Sequence, residues 1–435
     1  MASEERKYRI EEQAVGADQL DALVTVLDLV RSDAAVTRPE LSRQSGLGRT
    51  VVTQRVEQLL QHGLIEEAGL ASSTGGRAPR ELRFRAGAGH VLVGQFGATS
   101  LTVGVTDLAA RVLKQHEEPL DIAVGPQPAL DRLEELFAQL LDVVDYPATP
   151  VWGVGIGLPG PVEFASGRPV APPIMPGWDG YPVRDRLAAR YDVPVWVDNE
   201  VNLMALGEWR GGVARGEQDV VYIKVGTGIG AGLISGGRLH RGAQGCAGDI
   251  GHVAVLDDPP VVCRCGHIGC LEALAGGAAL AREGTAAARN GRSPYLADLL
   301  STGRPIEAVD VGRGASHGDP ASVELLQQSG RLVGDTLARI VNFYNPALIV
   351  VGGGVAAAGD RWLATIRESV YRRSLPLATR DLRIIRSPLD DRAGQMGGAF
   401  MVVDELLSRE RLGRWIGLGA PVGRPDLVSH AFVAR

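Results

Sequence analysis

The 435-residue chain is too long for one ordinary core, and 45% hydrophobic with 22% charged residues is a globular rather than a disordered composition. No segment approaches the roughly 20 consecutive apolar residues that a membrane-spanning helix needs. A formal net charge of -6 excludes a protein that coats nucleic acid indiscriminately, while leaving room for a local basic patch.

Residues 1–17 open with MASEERKYRIEEQ, which mixes both charges without an apolar signal core and reads as a mobile cytoplasmic arm. Leu20, Leu23, Val24, Leu27 and Val30 then fall on one helical face, so a first helix is expected over 18–31 with Asp18 at its start. Thr37-Arg38-Pro39-Glu40 has the form of a capping box that opens a second helix. That helix should stop at Gly46, which can take the positive φ of a tight turn, and a third should begin after Gly48. On the third helix Arg49, Thr50, Thr53, Gln54 and Arg55 are expected to project outward, carrying donors and acceptors suited to base edges and phosphates. Gly63 to Glu67 and Glu81 to Phe84 read as two strands, and the turn Ser72 to Arg80 between them brings Arg77 to a hairpin tip able to enter a narrow minor groove. Residues 18–86 are thus expected to form a winged helix-turn-helix that binds operator DNA. The competing reading is a small helical interaction module whose arginines face water.

From residue 87 the pattern becomes α/β, with strands rich in Val, Leu and Ile, glycine turns, and a helix expected near 127–144. Val91 to Val105 reads as strand, glycine turn, strand, and Val220 to Leu233 repeats that shape, which suggests two related lobes facing a cleft. Thr227-Gly228-Ile229-Gly230 suits the approach of backbone amides to a phosphate, and Ile349 to Val355 is a third such turn. The four cysteines are confined to residues 246–270, a clustering that suggests a metal site before a disulfide framework.

Over roughly residues 18–407 this combination resembles the ROK family (repressors, open reading frames and sugar kinases). The resemblance implies an α/β, two-lobed, actin-like ATPase domain of the sugar kinase-like, ribonuclease H-like kind behind the winged helix. The first lobe would span 87–205 with a returning helix near 392–407, and the second 206–391 with a zinc loop; 408–435 continues past the family's usual end. It also assigns His252, Cys263, Cys265 and Cys270 as ligands of a structural zinc, with His267 able to compete with His252. Cys246 is left to pack as a small hydrophobe.

Positions matching the family's sugar contacts are Asn199 and Glu200, then Asp249 and His252, then Glu272. Carboxylates suit this work because each accepts two hydroxyl hydrogen bonds. Gly157 to Gly160 and Pro176-Gly177-Trp178 resemble loops that flank the pocket, although Trp178 could simply pack and Asp198 could cap a helix. The family's kinases carry Asp-x-Gly-Gly-Thr at the first glycine turn, where this chain has Gln95-Phe96-Gly97-Ala98-Thr99. They use an aspartate base where Glu200 stands. Two departures in separate parts of the phosphotransfer machinery predict a sensor without catalysis. The expected function is a sugar-responsive transcription regulator, a repressor working as a homodimer or homotetramer, with residues 83–90 as the hinge. The competing reading is an ATP-dependent sugar kinase with an appended DNA-binding domain.

Overall fold

The computed structural model describes residues 17–70, 79–144, 148–257, 261–356 and 359–428. It opens with α1 (Ala17–Arg31), α2 (Arg38–Ser45) and α3 (Arg49–Gln61), followed by the hairpin β1 (Ile65–Leu70) and β2 (Arg80–Phe84). Local chemistry sets these boundaries. Thr37 accepts from the Glu40 amide while the Glu40 carboxylate accepts from the amides of Val36 and Thr37, each at 3.1 Å, and Pro39 sits in the first turn, where an amide would have no helical partner. Gly46 ends α2 at φ 72°. Leu23, Val26, Leu27, Leu41, Val52, Val56 and Leu59 are buried between the three helices. Val51, next to Val52, is only half-buried. The expected hairpin tip, Arg77 included, and the arm before residue 17 lie outside the described residues.

The next elements are β3 (His90–Phe96), β4 (Ser100–Asp107), β5 (Val112–Pro119), α4 (Pro126–Leu141), β6 (Val151–Leu158), a small ribbon of β7 (Val162–Glu163) and β8 (Arg168–Pro169), α5 (Val183–Tyr191) and β9 (Val195–Asn199). Then come α6 (Glu200–Gly211), β10 (Val220–Val225), β11 (Ile229–Ser235), β12 (Arg238–His240), α7 (Leu271–Ala275), α8 (Gly277–Arg289), α9 (Pro294–Ser301), α10 (Ala308–Ser316) and α11 (Pro320–Tyr344). The chain continues through β13 (Leu348–Gly352), α12 (Asp360–Arg373), α13 (Pro376–Thr379), β14 (Arg383–Arg386), α14 (Arg392–Leu406) and α15 (Arg409–Trp415).

Two five-stranded sheets result, ordered β5-β4-β3-β6-β9 and β12-β11-β10-β13-β14. Numbered by order of use, both run 3-2-1-4-5, with the second strand antiparallel to its neighbours and the last two parallel to the first. This is the repeated lobe that the two glycine-turn segments suggested. β3 and β6 are buried along their whole length, which accounts for their unbroken apolar runs.

α6 and α14 pack against each other and join the lobes. A Cβ on Gly397 would stand 1.7 Å from the Leu203 carbonyl oxygen, and one on Gly207 would stand 2.0 Å from that of Ala393, so the two backbones touch where any side chain would hold them apart. The expected lobe boundary at 205 falls inside α6, which contacts both sheets and belongs to the seam between them.

The three-helix head is docked rather than tethered, and its core runs without a break into the first lobe. In the segment expected to be a hinge, Phe84, Ala86 and His90 are buried and the Leu108 amide donates to the Ala86 carbonyl at 3.0 Å, so 83–90 is a packed junction. The segment after 408, unread from sequence, covers this junction. Gly413 lies against Leu20, Arg409 pairs with Asp21 at 2.7 Å, and the Trp415 ring meets Trp152 edge-on with centroids 5.2 Å apart.

Candidate functional site: an interlobe cleft beside a thiol cluster

Between the lobes lies a cavity of about 940 Å³, onto which Asn199, Glu200, Asp249, His252 and Glu272 all open. Asn199 and Glu200 arrive together because β9 hands directly over to α6. Asn199 is the N-cap: its Oδ1 accepts from the amides of Val201 at 2.8 Å and Asn202 at 3.4 Å, while its Nδ2 donates to the Gly160 carbonyl at 2.9 Å. Much of its hydrogen-bonding capacity is thus spent on holding the helix start against the Pro159-Gly160 loop, leaving one N–H for a ligand.

Glu200 Oε2 accepts from Lys224 Nζ at 2.6 Å, across the seam on β10, with side chains 9% and 19% exposed. Its neighbour Asp198 makes a second crossing to Arg241 Nε at 2.7 Å, and the Arg241 guanidinium lies 3.7 Å from the Phe164 ring centre. Neither cation was foreseen. A lone lysine in the otherwise uncharged strand Val-Val-Tyr-Ile-Lys-Val was the available signal for Lys224; Arg241 had none.

On the second lobe, Glu272 Oε2 accepts from the Ile229 amide at 3.0 Å and braces the Thr227–Gly230 turn. A Cβ on Gly228 would come within 2.3 Å of that oxygen, so a side chain there has to displace the Glu272 carboxylate. The turn is fastened on its other side by α8, whose Gly277 amide donates to the Gly226 carbonyl at 2.7 Å. Asp249 is exposed at the rim, 3.9 Å from His252 Nε2.

At the first glycine turn Gln95 is buried, its Nε2 donating to the Glu200 carbonyl at 3.2 Å while its Oε1 meets no donor. It ties the turn to α6, and Ala98 lines the cavity beyond it. Trp178 is fully buried, edge-on to Phe96 and donating to the Ile122 carbonyl at 3.2 Å, so it packs the first lobe and does not face the cleft.

His252, Cys263, Cys265 and Cys270 come together with their ligand atoms all within 4.8 Å of one another. The 3.7 Å separation of the Cys265 and Cys270 sulfurs is close to the edge of a tetrahedron with metal–sulfur bonds of about 2.3 Å, and one imidazole with three thiolates is the donor set of a closed structural site. The residues present therefore fit a zinc ion. His267 reaches Cys265 alone, with Nδ1 3.4 Å from Sγ. Burial raises the Cys270 thiol, helped by its thiol neighbours, to about 12. Burial also acts on Cys265, but hydrogen bonds from the His267 backbone and ring and from the other thiols outweigh it and bring Cys265 to about 6. Cys246, expected to pack inside, is exposed, because the turn-rich loop from Gly242 to Gly248 carries it on the surface at the edge of the cavity.

On the head, Arg49, Thr50 and Gln54 are exposed, and Thr53 is half-buried with its hydroxyl donating to the Arg49 carbonyl at 2.9 Å. Arg55 departs from expectation. It is 7% exposed, and its Nη1 donates to Gln58 at 2.5 Å. Position 55 lies three residues after Val52 and four before Leu59, both buried, which places it on the inward face of α3. Arg80, near the hairpin, pairs with Glu67.

The profile of the ROK family matches residues 95–405. A xylose repressor of Caldicellulosiruptor bescii is 30% identical over 406 residues, covering 90% of this chain and 96% of its own. Among solved structures, a ROK family transcriptional regulator homologous to the Escherichia coli MLC protein superposes with a TM-score of 0.75 at 26% identity, covering 92% of this chain and 98% of its own. A ROK family glucokinase from Streptomyces griseus, solved with glucose and AMPPNP, has a TM-score of 0.65 at 30% identity and covers 72% of this chain and 99% of its own.

Proposed function

The chain belongs to the ROK family, and from that premise we propose that it is a sugar-responsive, DNA-binding repressor whose kinase-like cleft senses a carbohydrate without phosphorylating it. The observation that carries this reading is the Lys224–Glu200 pair, which commits the carboxylate at the base position to a cation of the protein itself. A base must be free to take the hydroxyl proton, and the Glu200 oxygen that would receive it already accepts from the half-buried Lys224 ammonium at 2.6 Å. Gln95 adds to it, since a neutral amide stands at the first glycine turn. The glucokinase likeness reaches only the cleft, whereas the repressor and regulator likenesses extend over the head as well.

In this reading residues 18–86 form the winged helix-turn-helix, and Arg49, Thr50 and Gln54 on α3 meet operator DNA, with Thr53 beside them. Asn199, Glu200, Asp249, His252 and Glu272 meet sugar hydroxyls. His252, Cys263, Cys265 and Cys270 hold zinc, which would supply a closed four-coordinate brace for the loop from 252 to 270. A work site on DNA makes the protein cytoplasmic; separately, no helix among the described residues is long and apolar enough to cross a membrane. A homodimer on a two-fold operator is supported by three exposed apolar side chains, Phe343 (93% exposed) near the end of α11 and Leu375 and Leu377 around the start of α13, where the Leu375 amide donates to Asn342 beside Phe343. Phe343→Glu should shift the sedimentation coefficient from dimer to monomer.

Sugar closes the lobes and so alters the head's grip on DNA, and by reciprocity operator DNA must change sugar affinity by the same factor. The test measures binding to the protein's own upstream DNA and to random duplex at moderate salt, each with and without a panel of sugars, beside a coupled assay with ATP. Operator preference relieved by one sugar, with no turnover, is the expected result. Turnover on the order of 1 s⁻¹ would favour the kinase, and indifference to both DNA and sugar would end the proposal.

A further inference from the structure

A cleft of this kind could be addressed by a free sugar or by a sugar phosphate, and the charge distribution around Glu200 separates the two. Seven carboxylates open onto the described cavity (Glu117, Glu200, Asp249, Glu272, Glu307, Asp390 and Asp391) against three cations. Two of those cations are already committed: Lys224 to Glu200 at 2.6 Å, and Arg282 to Glu283 at 3.0 Å. The third, Arg264, stands between two of the clustered cysteines. Beyond Lys224, Glu117 on β5 and the Asp390-Asp391 turn before α14 face the cleft, and no cation among the described residues lies within 4.0 Å of their carboxylates. Glu117 and Asp391 both bind their protons more tightly than an ordinary carboxyl. Burial is the largest cause in each; the charges of Asp391 and then Asp390 add to it at Glu117, and that of Asp390 adds to it at Asp391, where Lys224 offsets it only in part.

Resting on the carbohydrate reading above, the geometry points to an uncharged sugar as the effector, with a free hydroxyl donating to Glu200 and no phosphate on the side that faces Lys224 and the Asp390-Asp391 turn. The hydrogen-bond polarity and the charge agree. An ionised carboxylate can only accept, so it requires a donor, and a hydroxyl is one; a phosphate dianion offers acceptors alone. The ammonium that could have neutralised that phosphate is held by Glu200, and lobe closure, by expelling water, strengthens the repulsion from Glu117, Asp390 and Asp391. Lys224 is accordingly a positioning residue: its 2.6 Å contact holds the Glu200 carboxylate aimed across the seam.

The test is calorimetric titration of the full chain with D-xylose, D-glucose and N-acetyl-D-glucosamine and with glucose 1-phosphate, glucose 6-phosphate and N-acetylglucosamine 6-phosphate, each with and without magnesium. Free sugars that bind should do so at least about tenfold more tightly than their phosphates, the factor given by roughly 1.4 kcal/mol. The triple variant E117Q/D390N/D391N should narrow that gap by strengthening the phosphates. Lys224→Met should weaken the free sugar about tenfold or more, and Lys224→Arg should recover most of the loss, a rescue that mere filling of space would not produce. A phosphate binding as tightly as its free sugar, with or without magnesium, would overturn the inference and leave the carbohydrate reading standing. Binding of no member of either set would remove both.

Discussion

Replacing Asp404 by alanine is expected to loosen the head from the first lobe. Asp404, near the end of α14, accepts from Arg31 of α1 on one oxygen and from Arg210 of α6 at 2.7 Å on the other. The Arg31 side chain is 10% exposed, and Asp404 and Arg210 are each 28% exposed. Removing the carboxylate leaves two guanidinium groups beside each other in a partly dry site, with Asp28 as a remaining carboxylate near both. Breaking a fully buried pair costs about 3–5 kcal/mol and breaking an exposed one about 0.2–1. These exposures lie between the limits, so about 2 kcal/mol is expected, or roughly a 30-fold shift toward the undocked head. Hydrogen exchange of the α1 amides in the intact chain reads this directly, with proteolysis at the 85–89 junction as a second probe. Arg409→Ala is the control, because its pair with Asp21 is exposed on both sides and should cost under about 1 kcal/mol. In the Asp404 variant the factor by which sugar changes operator affinity should fall toward one while sugar affinity without DNA stays. Unchanged α1 protection, or protection equal to that of the Arg409 variant, would refute the argument that this carboxylate holds the head.

Gly228→Ala forces Glu272 off the Ile229 amide and should weaken sugar binding about tenfold or more by calorimetry, with operator binding of the sugar-free protein unchanged. Arg49→Ala should weaken operator binding and lower the slope of log affinity against log salt by about one, whereas Arg55→Met should leave that slope alone, since position 55 is buried. Metal analysis should return about one zinc per chain, and Cys265→Ser or a strong chelator should release it and expose the 252–270 loop to protease. Zinc-free protein with that loop still protected would count against the brace.

What the sequence made legible was local. The Thr37–Glu40 box, the turn at Gly46 and the start of α3 each depend on side chains within a few residues of one another, and all were found where the chain placed them. The cysteine spacing was local too. Arg55 differs: its charge argues for the outward face, but its spacing from Val52 and Leu59 puts it on the inward face of α3, and phase outweighs charge there. The crossings Asp198–Arg241 and Arg31–Asp404 join residues 43 and 373 positions apart, and no periodicity connects such partners. They exist because two lobes and a head meet, so the fold has to be known before they can be seen. The same is true of the segment after 408, whose Trp415 has meaning only beside Trp152.

These long-range crossings also explain how a cleft and a DNA reader can share one signal. α6 begins at Asn199 and Glu200, in contact with Gly160 and Lys224, and its last turn carries Arg210, in contact with Asp404. Twelve residues of helix span roughly 18 Å and bend little. Its glycine contacts with α14 bring the backbones so close that neither helix can slide without the other. In the proposed coupling, a sugar seated against the Glu200–Lys224 pair turns both helices as one body. The turn reaches Arg31 through a carboxylate that belongs to α14 and is shared with α6. The head need not be flexible for this, which is why a buried junction at 83–90 suits the coupling better than the loose hinge expected from sequence. A rigid docked head transmits a small rotation to α3, whereas a tethered one would absorb it.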